Sequence, residues 1–546
     1  MNHPLEYFLH WESTTPNAIA FRQPHGDQWR TWSWQQAGDE IRRMAAHLQA
    51  LGLERGSHVA ILSKNCSHWV MADVAIMMAG MVSVPLYATL PAESIEQILL
   101  HSDSKAIFIG KLDNYAQQQP GIPASVKKIA IDYYGVTDGD TWSGIAQRTQ
   151  PLATPAQWSH EDLLTIMYTS GTTGNPKGVM HVVGSFHDTV KAAHDLLQIP
   201  AHPRVFSYLP LSHIAERLGI EIMGLYRGAT FSFPETLESF PKNLADTQPD
   251  YFIAVPRIWA KFQEKILEKM PQQKLDRLLS IPVVSGIIRK AIKKKLGLAK
   301  SKVFAAGAAP SSVALLEWWK KLGVEIFQIY GMTEDCVYAH FNSRLGNKFG
   351  TVGRPLPGLQ VKIDAATQEI RVKSSCLMRG YYKQPDLSAE MFDEEGYLKT
   401  GDTGCIDSEG YLTIIGRVKD QFKTDKGKYI SPAPIELQLT QNPDIEQVCV
   451  VGMGIPQPIA LVVLSAQGKA KSKEEITRSL TETMDRINPH LEPYEKLETA
   501  VIMKQDWTIE NGLLTPSMKL KRNELERIHV PKYPQWYHTQ GRVVWE

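Results

Sequence analysis

Residues Tyr168 to Met180 read "YTSGTTGNPKGVM", with four small hydroxyl residues, three glycines and a lysine in thirteen positions. Glycines let backbone N–H groups approach oxygens closely, hydroxyls add donors and a lysine adds a point charge, which together make a phosphate cradle. The P-loop of NTPases, G-x-x-x-x-G-K-[ST], fails here on two positions. Counting from Gly171, its second glycine would be Pro176, and Gly178 follows Lys177 where Ser or Thr is required. Pro176 lacks an N–H and restricts Asn175 to extended backbone, so no helix starts there as it does after a P-loop. The plainer alternative, a ligand-free glycine/threonine hairpin, needs one or two such residues and leaves the rest without a purpose.

Around this loop, short apolar segments such as "HVAILSK", "AIFIG", "YFIAVP", "KVFAAG" and "EIFQIYG" are separated by helical patterns such as "SWQQAGDEIRRMAAHLQALG". That alternation predicts α/β layering with largely parallel sheets. After about Gln360, "VKIDAATQEIRVKS" and "YLKTGDTGCIDSEGYLTIIG" read as antiparallel hairpins, and from Gln421 onward strands and helices mix as in a small α+β domain. The chain of 546 residues is long enough for several compact units. Its 59 Lys and Arg nearly balance 58 Asp and Glu, which excludes a global field for nucleic acid. The five cysteines are scattered without metal-type pairing, as expected for free thiols in a reducing compartment. No basic region followed by an apolar run opens the chain, so a signal peptide is not expected. The most apolar window, Val70 to Leu86, contains Asp73, Gly80 and Pro85 and predicts a buried helix followed by a strand rather than a membrane span.

Four further stretches follow the phosphate loop in order: "AAGAAPSS" (Ala305 to Ser312), "QIYGMTED" (Gln328 to Asp335), "YLKTGDTGCIDSEGYLTIIGRVKD" (Tyr397 to Asp420) and "NGLLTPSMKLKR" (Asn511 to Arg522). With them, essentially the whole chain resembles the adenylate-forming superfamily of acyl-CoA synthetases, adenylation domains of peptide synthetases and luciferases. The resemblance implies an α/β fold: a large N-terminal domain of two α/β subdomains and a distorted β-barrel, carrying a small mobile α+β C-terminal domain. It implies boundaries of 1–416 for the adenylation domain, 417–420 for a hinge and 421–546 for the C-terminal domain.

The reaction implied joins a carboxylate to ATP, releases pyrophosphate and leaves an acyl-adenylate that a thiol then attacks. By resemblance, Thr169, Ser170, Gly171, Thr172, Thr173, Gly174 and Lys177 hold the β- and γ-phosphates. Tyr330 stacks on adenine, Gly331 belongs to the ATP site, Thr333 donates to the α-phosphate, and Glu334, with Thr169, ligates magnesium. Gly307 and Ala308 let the adenine edge approach backbone, while Asp402 and Arg417 hold the ribose. His213, in "LPLSHIAER", borders the acyl carboxylate and later the thiol. Lys519 is the catalytic cation of the C-terminal domain, with Lys521 as a competing assignment because Met518 stands where many relatives have glycine. Lys419 matches the hinge, and Gly427 lines the channel for CoA.

"FIAVPRIWAKFQEKI", "LPLSHIAER" and "TPSMKLKR" look most like bacterial-type long-chain fatty acid–CoA ligases. The expected substrates are therefore a medium- or long-chain fatty acid, ATP and CoA, with Mg2+. A fatty acyl-AMP ligase serving a carrier protein, or a non-catalytic nucleotide- or lipid-binding relative, are the alternatives. A cytoplasmic location is expected. The seven basic residues of "SGIIRKAIKKKLGLAKSK" (285–302), with Ile288, Ile292 and Leu296 at helical spacing, suggest a peripheral contact at the inner membrane face. A solvated helix face packed on its own domain is the plainer reading.

Overall fold

The helix expected from "SWQQAGDEIRRMAAHLQALG" forms over Trp34–Ala50 in a computed structural model that describes residues 3–170, 176–515 and 518–546. Its start is local chemistry: the Ser33 hydroxyl accepts from the Gln36 N–H while the Gln36 side chain accepts from the Ser33 N–H. Ala37, Ile41, Met44, Ala45 and Leu48, at three- and four-residue spacing, turn its buried stripe inward. The apolar window forms the helix Ser67–Met78, buried at all twelve positions, followed by the strand Val82–Leu86. Among the described residues, no helix is long and apolar enough to cross a membrane.

The chain divides into two compact units. The first takes residues up to 309, 315–360 and 372–398, and the second takes 310–314, 361–371 and 399–546. Unit one is built on an eight-stranded sheet ordered Gly380–Tyr381, Pro176–Val182, Leu163–Ser170, Val82–Leu86, His58–Leu62, Ala106–Ile109, Lys127–Ala130 and Asp140–Thr141. From Leu163–Ser170 (β1) outward to Asp140–Thr141 its neighbours pair in parallel; Pro176–Val182 (β2) returns antiparallel to β1. A second sheet runs Tyr251–Ala254, Val303–Ala306 and Ile326–Tyr330 (β3) in parallel, then His340–Phe341 (β4) and Arg354–Pro355 antiparallel. Trp259, Phe304, Trp318 and Trp319 pack its core. A third, four-stranded sheet joins Ile19–His25 and Gln28–Ser33 with Arg204–Phe206 and Thr230–Ser232.

Unit two holds most of a four-stranded sheet that ends in the antiparallel pair Leu398–Ile406 (β6) and Leu412–Arg417 (β7); Gly380–Tyr381 of unit one is β5. Beyond it, Ile445–Val451, Ile459–Leu464, Thr499–Ile502 and Val543–Trp545 form a separate mixed sheet. Helix Lys473–Ile487 buries Ile476, Leu480 and Met484 in that domain's core. All five cysteines are free, and only Cys405 is exposed.

The basic segment forms the helix Pro282–Lys295 (α1). Ile288, Ile292 and Leu296, the stripe that suggested a membrane face, instead pack on the core with Phe304 and Trp319. Residues half a turn away, Val283 and Ile287, are 77% and 63% exposed. The inward stripe is taken because it is the wider one and continues through Leu296.

Candidate active site

Three motifs begin where a parallel strand ends. Thr169 and Ser170 close β1, Gly307 follows Val303–Ala306, and Tyr330 closes β3. Strand C-termini of open α/β sheets are where ligands bind, because the diverging connections leave a crevice there. Beyond the glycine- and threonine-rich stretch the chain enters the strand β2, which pairs Thr169 with Lys177, whereas a P-loop is followed by a helix. Gly171, Thr172, Thr173 and Gly174 lie outside the described residues, as does the side chain of Ser170.

Strand β2 holds the "YGMTED" turn. The buried His181 ring bonds through Nε2 to the Thr333 carbonyl at 2.7 Å. Burial holds that imidazole down to about 4, so it is neutral and donates from Nε2. Just before β5, the Met378 N–H donates to the Glu334 carbonyl at 2.8 Å, and on β5 itself the Tyr381 hydroxyl donates to Glu334 Oε1 at 2.9 Å. Lys177 Nζ lies 5.3 Å from the centre of the Tyr381 ring. The turn itself is tight. A Cβ on Gly331 would come within 2.6 Å of Val337 Cα, and Cys336 and Val337 both adopt left-handed backbone, φ 57° and 56°. That conformation is costly for a β-branched residue and is stored at functional turns. Ala308 is likewise left-handed, φ 65°. Beneath the turn, His340 pairs across the strands with Tyr330; it is buried, and its imidazole is held down to about 4.

His213 caps a short helix, its Nδ1 accepting from the Ala215 N–H at 3.2 Å. Glu216, just beyond, accepts from Ser207 Oγ at 2.8 Å and the Tyr208 N–H at 2.9 Å. Burial pushes its carboxyl up to about 8. A π-helical turn, Arg217–Ile222, follows. Arg217 is fully buried and donates to Asp73 and Ser83 Oγ at 2.7 Å and to Thr165 Oγ1 at 2.7 Å. This guanidinium therefore ties helix Ser67–Met78 and two strands of the central sheet, β1 among them.

In unit two, Asp402 on β6 stands directly opposite Arg417 on β7, with Arg417 Nε 2.9 Å from Asp402 Oδ1. Lys419 lies in a short 3-10 turn, Val418–Asp420. Gly427 has φ 78° in the turn after Phe422–Lys423, so its backbone alone favours glycine. Lys519 is exposed on a small hairpin where its N–H donates to Thr515 Oγ1 and its carbonyl accepts from the Thr515 N–H. Met518 takes the left-handed φ of 63°, which explains why glycine suits this position. Lys521 instead precedes helix Arg522–His529, its N–H bonded to the Leu513 carbonyl.

Thus Lys177, Thr333, Glu334 and Tyr330 share one neighbourhood of unit one, and Asp402 with Arg417 another in unit two. Tyr381 and His181 escaped sequence reading; Tyr381 lies 47 residues from the carboxylate it touches, and no local pattern reveals such a pairing.

The AMP-binding enzyme family model matches residues 8–382, and the AMP-binding enzyme C-terminal domain model matches 419–535. Long-chain-fatty-acid–CoA ligase FadD15 of Mycobacterium tuberculosis is 26% identical, with 94% of this chain and 93% of that protein covered. Long-chain-fatty-acid–CoA ligase 5 of Rattus norvegicus is also 26% identical, covering 95% and 86%. The adenylation domain of carboxylic acid reductase from Segniliparus rugosus, solved with AMP and a co-purified carboxylic acid, has the same fold at TM-score 0.80, with 20% identity over 98% of this chain and 94% of that one. The anthranilate CoA ligase AuaEII, solved with anthranoyl-AMP, gives TM-score 0.81 at 19% identity, covering 97% and 98%.

Proposed function

The chain belongs to the AMP-binding enzymes and has their fold, a large N-terminal α/β part and a small C-terminal domain, and from that premise we propose that it activates a medium- or long-chain fatty acid and passes it to CoA. Acyl activation through an adenylate is the family's chemistry; the acid and the acceptor are our reading. What carries that reading is the near full-length match to proteins named long-chain-fatty-acid–CoA ligases.

In the first step a carboxylate oxygen bonds to the α-phosphorus of ATP while the bond from that phosphorus to the bridging oxygen breaks, releasing pyrophosphate. Bringing two anions together requires oriented positive charge. Lys177 and the phosphate loop hold the β- and γ-phosphates, Thr333 the α-phosphate, and Lys519 supplies a cation at the carboxylate and phosphate oxygens. Gly307, Ala308, Tyr330 and Gly331 hold adenine; Asp402 and Arg417 hold ribose. Glu334 suits Mg2+, which takes one or two carboxylates plus substrate phosphates; when bound, the ion neutralises phosphoryl charge. Thr169, at the end of β1, is its proposed second protein ligand. In the second step the CoA thiolate attacks the acyl carbonyl carbon beside His213 and AMP leaves. The proposed division is 1–416, a hinge at 417–420 containing Lys419, and 421–546, so that one arrangement presents Lys519 for adenylation and another opens the channel at Gly427.

Peripheral contact with the inner membrane face is part of this proposal. On α1, Val283, Ile287, Lys290 and Lys294 are all exposed and lie within about 60° of one another around the helix, opposite the core-facing Ile288, Ile292 and Leu296. An apolar half followed by a basic half suits an anionic lipid surface. Co-sedimentation with anionic vesicles is expected and should be lost in the double variant Val283→Asp, Ile287→Asp; retention by that variant rejects the contact.

The deciding assay follows pyrophosphate and AMP release from ATP and Mg2+ across saturated acids of increasing length, with and without CoA. CoA-dependent turnover peaking at medium or long chains is the expected result. Adenylate that CoA cannot discharge would replace CoA with a carrier protein, and no response to any fatty acid would reject the substrate class.

A further inference from the structure

Glu334 lies in the turn after β3 and Lys177 on β2, and one side chain touches both. Tyr381 is 3% exposed. Its hydroxyl donates to Glu334 Oε1 at 2.9 Å, and the face of its ring lies 5.3 Å from Lys177 Nζ. Burial, then the neighbouring carboxylate, pushes the phenol well above its ordinary value.

Tyr381 and its neighbours in the chain are fixed by a set of contacts. Its backbone sits opposite Val179, two residues beyond Lys177, and its N–H donates to Ser388 Oγ at 2.8 Å. Gly380 before it has φ 142°, a backbone conformation that favours glycine, and a Cβ there would sit a tight 3.0 Å from Ser388 Oγ. After it, the Tyr382 N–H donates to the Gly178 carbonyl at 2.8 Å and the Tyr382 hydroxyl to Asp103 at 2.9 Å. Lys383 reaches the same Asp103 carboxylate at 2.6 Å. A residue this firmly fixed can hold its partners in place.

We infer that Tyr381 is a positioning residue of the nucleotide site, aiming the Glu334 carboxylate at the metal that accompanies ATP and fixing the Lys177 ammonium for the triphosphate. The inference rests on the adenylate-forming reading above. With one oxygen occupied by the phenol, Glu334 has its other oxygen and a fixed orientation for the hard cation, as outer hydrogen bonds commonly provide for ligating carboxylates. Hydroxyl and ring have separable effects: the first acts on the metal, the second on the triphosphate.

Two variants separate them. Tyr381→Phe keeps the ring and removes the hydroxyl, whereas Tyr381→Leu removes both. Metal-free ATP binding is measured by calorimetry, and Mn2+ held in the enzyme–ATP complex by electron paramagnetic resonance. Thermal unfolding without ligand confirms that each variant is folded. Tyr381→Phe is expected to bind metal-free ATP as the parent does, but to weaken Mn2+ about tenfold or more, with the Mg2+ needed for half-maximal turnover rising in step. Tyr381→Leu is expected to weaken metal-free ATP as well, by about threefold or more. Parent-like Mn2+ affinity in Tyr381→Phe overturns the inference, even where the parent activates acids normally. A parent protein that binds no Mn2+ beside ATP would overturn the metal reading of Glu334, a separate failure.

Discussion

Lys519, the proposed catalytic cation, is the residue whose loss should slow the first half-reaction most. Its side chain is exposed while its backbone makes two bonds to Thr515, whereas the backbone of Lys521 is committed to starting the next helix. Lys519→Ala should slow acyl-adenylate formation by about 10²–10³-fold, the cost of removing one preorganised charge from a transition state, while sparing thioester formation from supplied acyl-adenylate. Rapid-quench measurement of each half-reaction checks this, and equal loss in both would remove the proposed division of labour. Lys521→Ala should leave both halves near the parent rate. The motif alone nominates this lysine. The reason for its odd flank, a left-handed Met518, required backbone angles that sequence does not display.

At the scale of elements, the strand that launches the phosphate loop depends on a buried charge. Arg217 fixes Thr165 of β1, Ser83 of the next strand and Asp73 of the all-buried helix. A lone Asp in a helix buried on every side is unaffordable without such a partner. Arg217→Met leaves Asp73 buried and unpaired, so unfolding stability should fall by about 3–5 kcal/mol. Adding Asp73→Asn should recover most of it. Urea unfolding of the two variants is the measurement, and a loss under about 1 kcal/mol in the single variant would show the network to be incidental. Here the sequence was partly legible. The apolar window with Asp73 inside it predicts a buried helix, which forms. Arg217, 144 residues away, was not suspected, because charge pairing across a sheet leaves no periodic trace. The same limit applied to α1, where two apolar stripes share one helix and only packing shows which one the core takes.

For the whole molecule, three buried histidines set an acid limit. His68 is held down to about 3, and His181 and His340 to about 4, against an ordinary 6.5. Between those values the unfolded chain binds protons that the folded chain refuses, so stability falls as pH drops below 6.5. His181 alone contributes about 3 kcal/mol to that loss. Glu216 acts in the other direction. Its folded carboxyl, pushed up to about 8 from 4.5, keeps a proton that the unfolded chain gives up, so its contribution is lost as pH rises through that window. The three histidines outweigh the raised carboxyls of Glu216 and the fully buried Glu221 below 6.5, and above it those carboxyls dominate, which places maximal stability near pH 6.5 on these groups. Urea midpoints across pH should show both limbs, with Glu216→Gln shallowing the upper one; an unchanged midpoint from about pH 6.5 down to about 4.5 would contradict the neutral histidines.

The sequence by itself determined the fold class, the order of the motifs and which residues to propose for ATP, because glycines, hydroxyls and strand-ending turns are local features whose spacing survives in one dimension. Tertiary structure decided which side chains support them. Tyr381 beneath Glu334 and Lys177, His181 against Thr333, and Arg217 under β1 are contacts between distant segments. Such contacts depend on which faces the sheets bury and on the need to pair every polar group enclosed there.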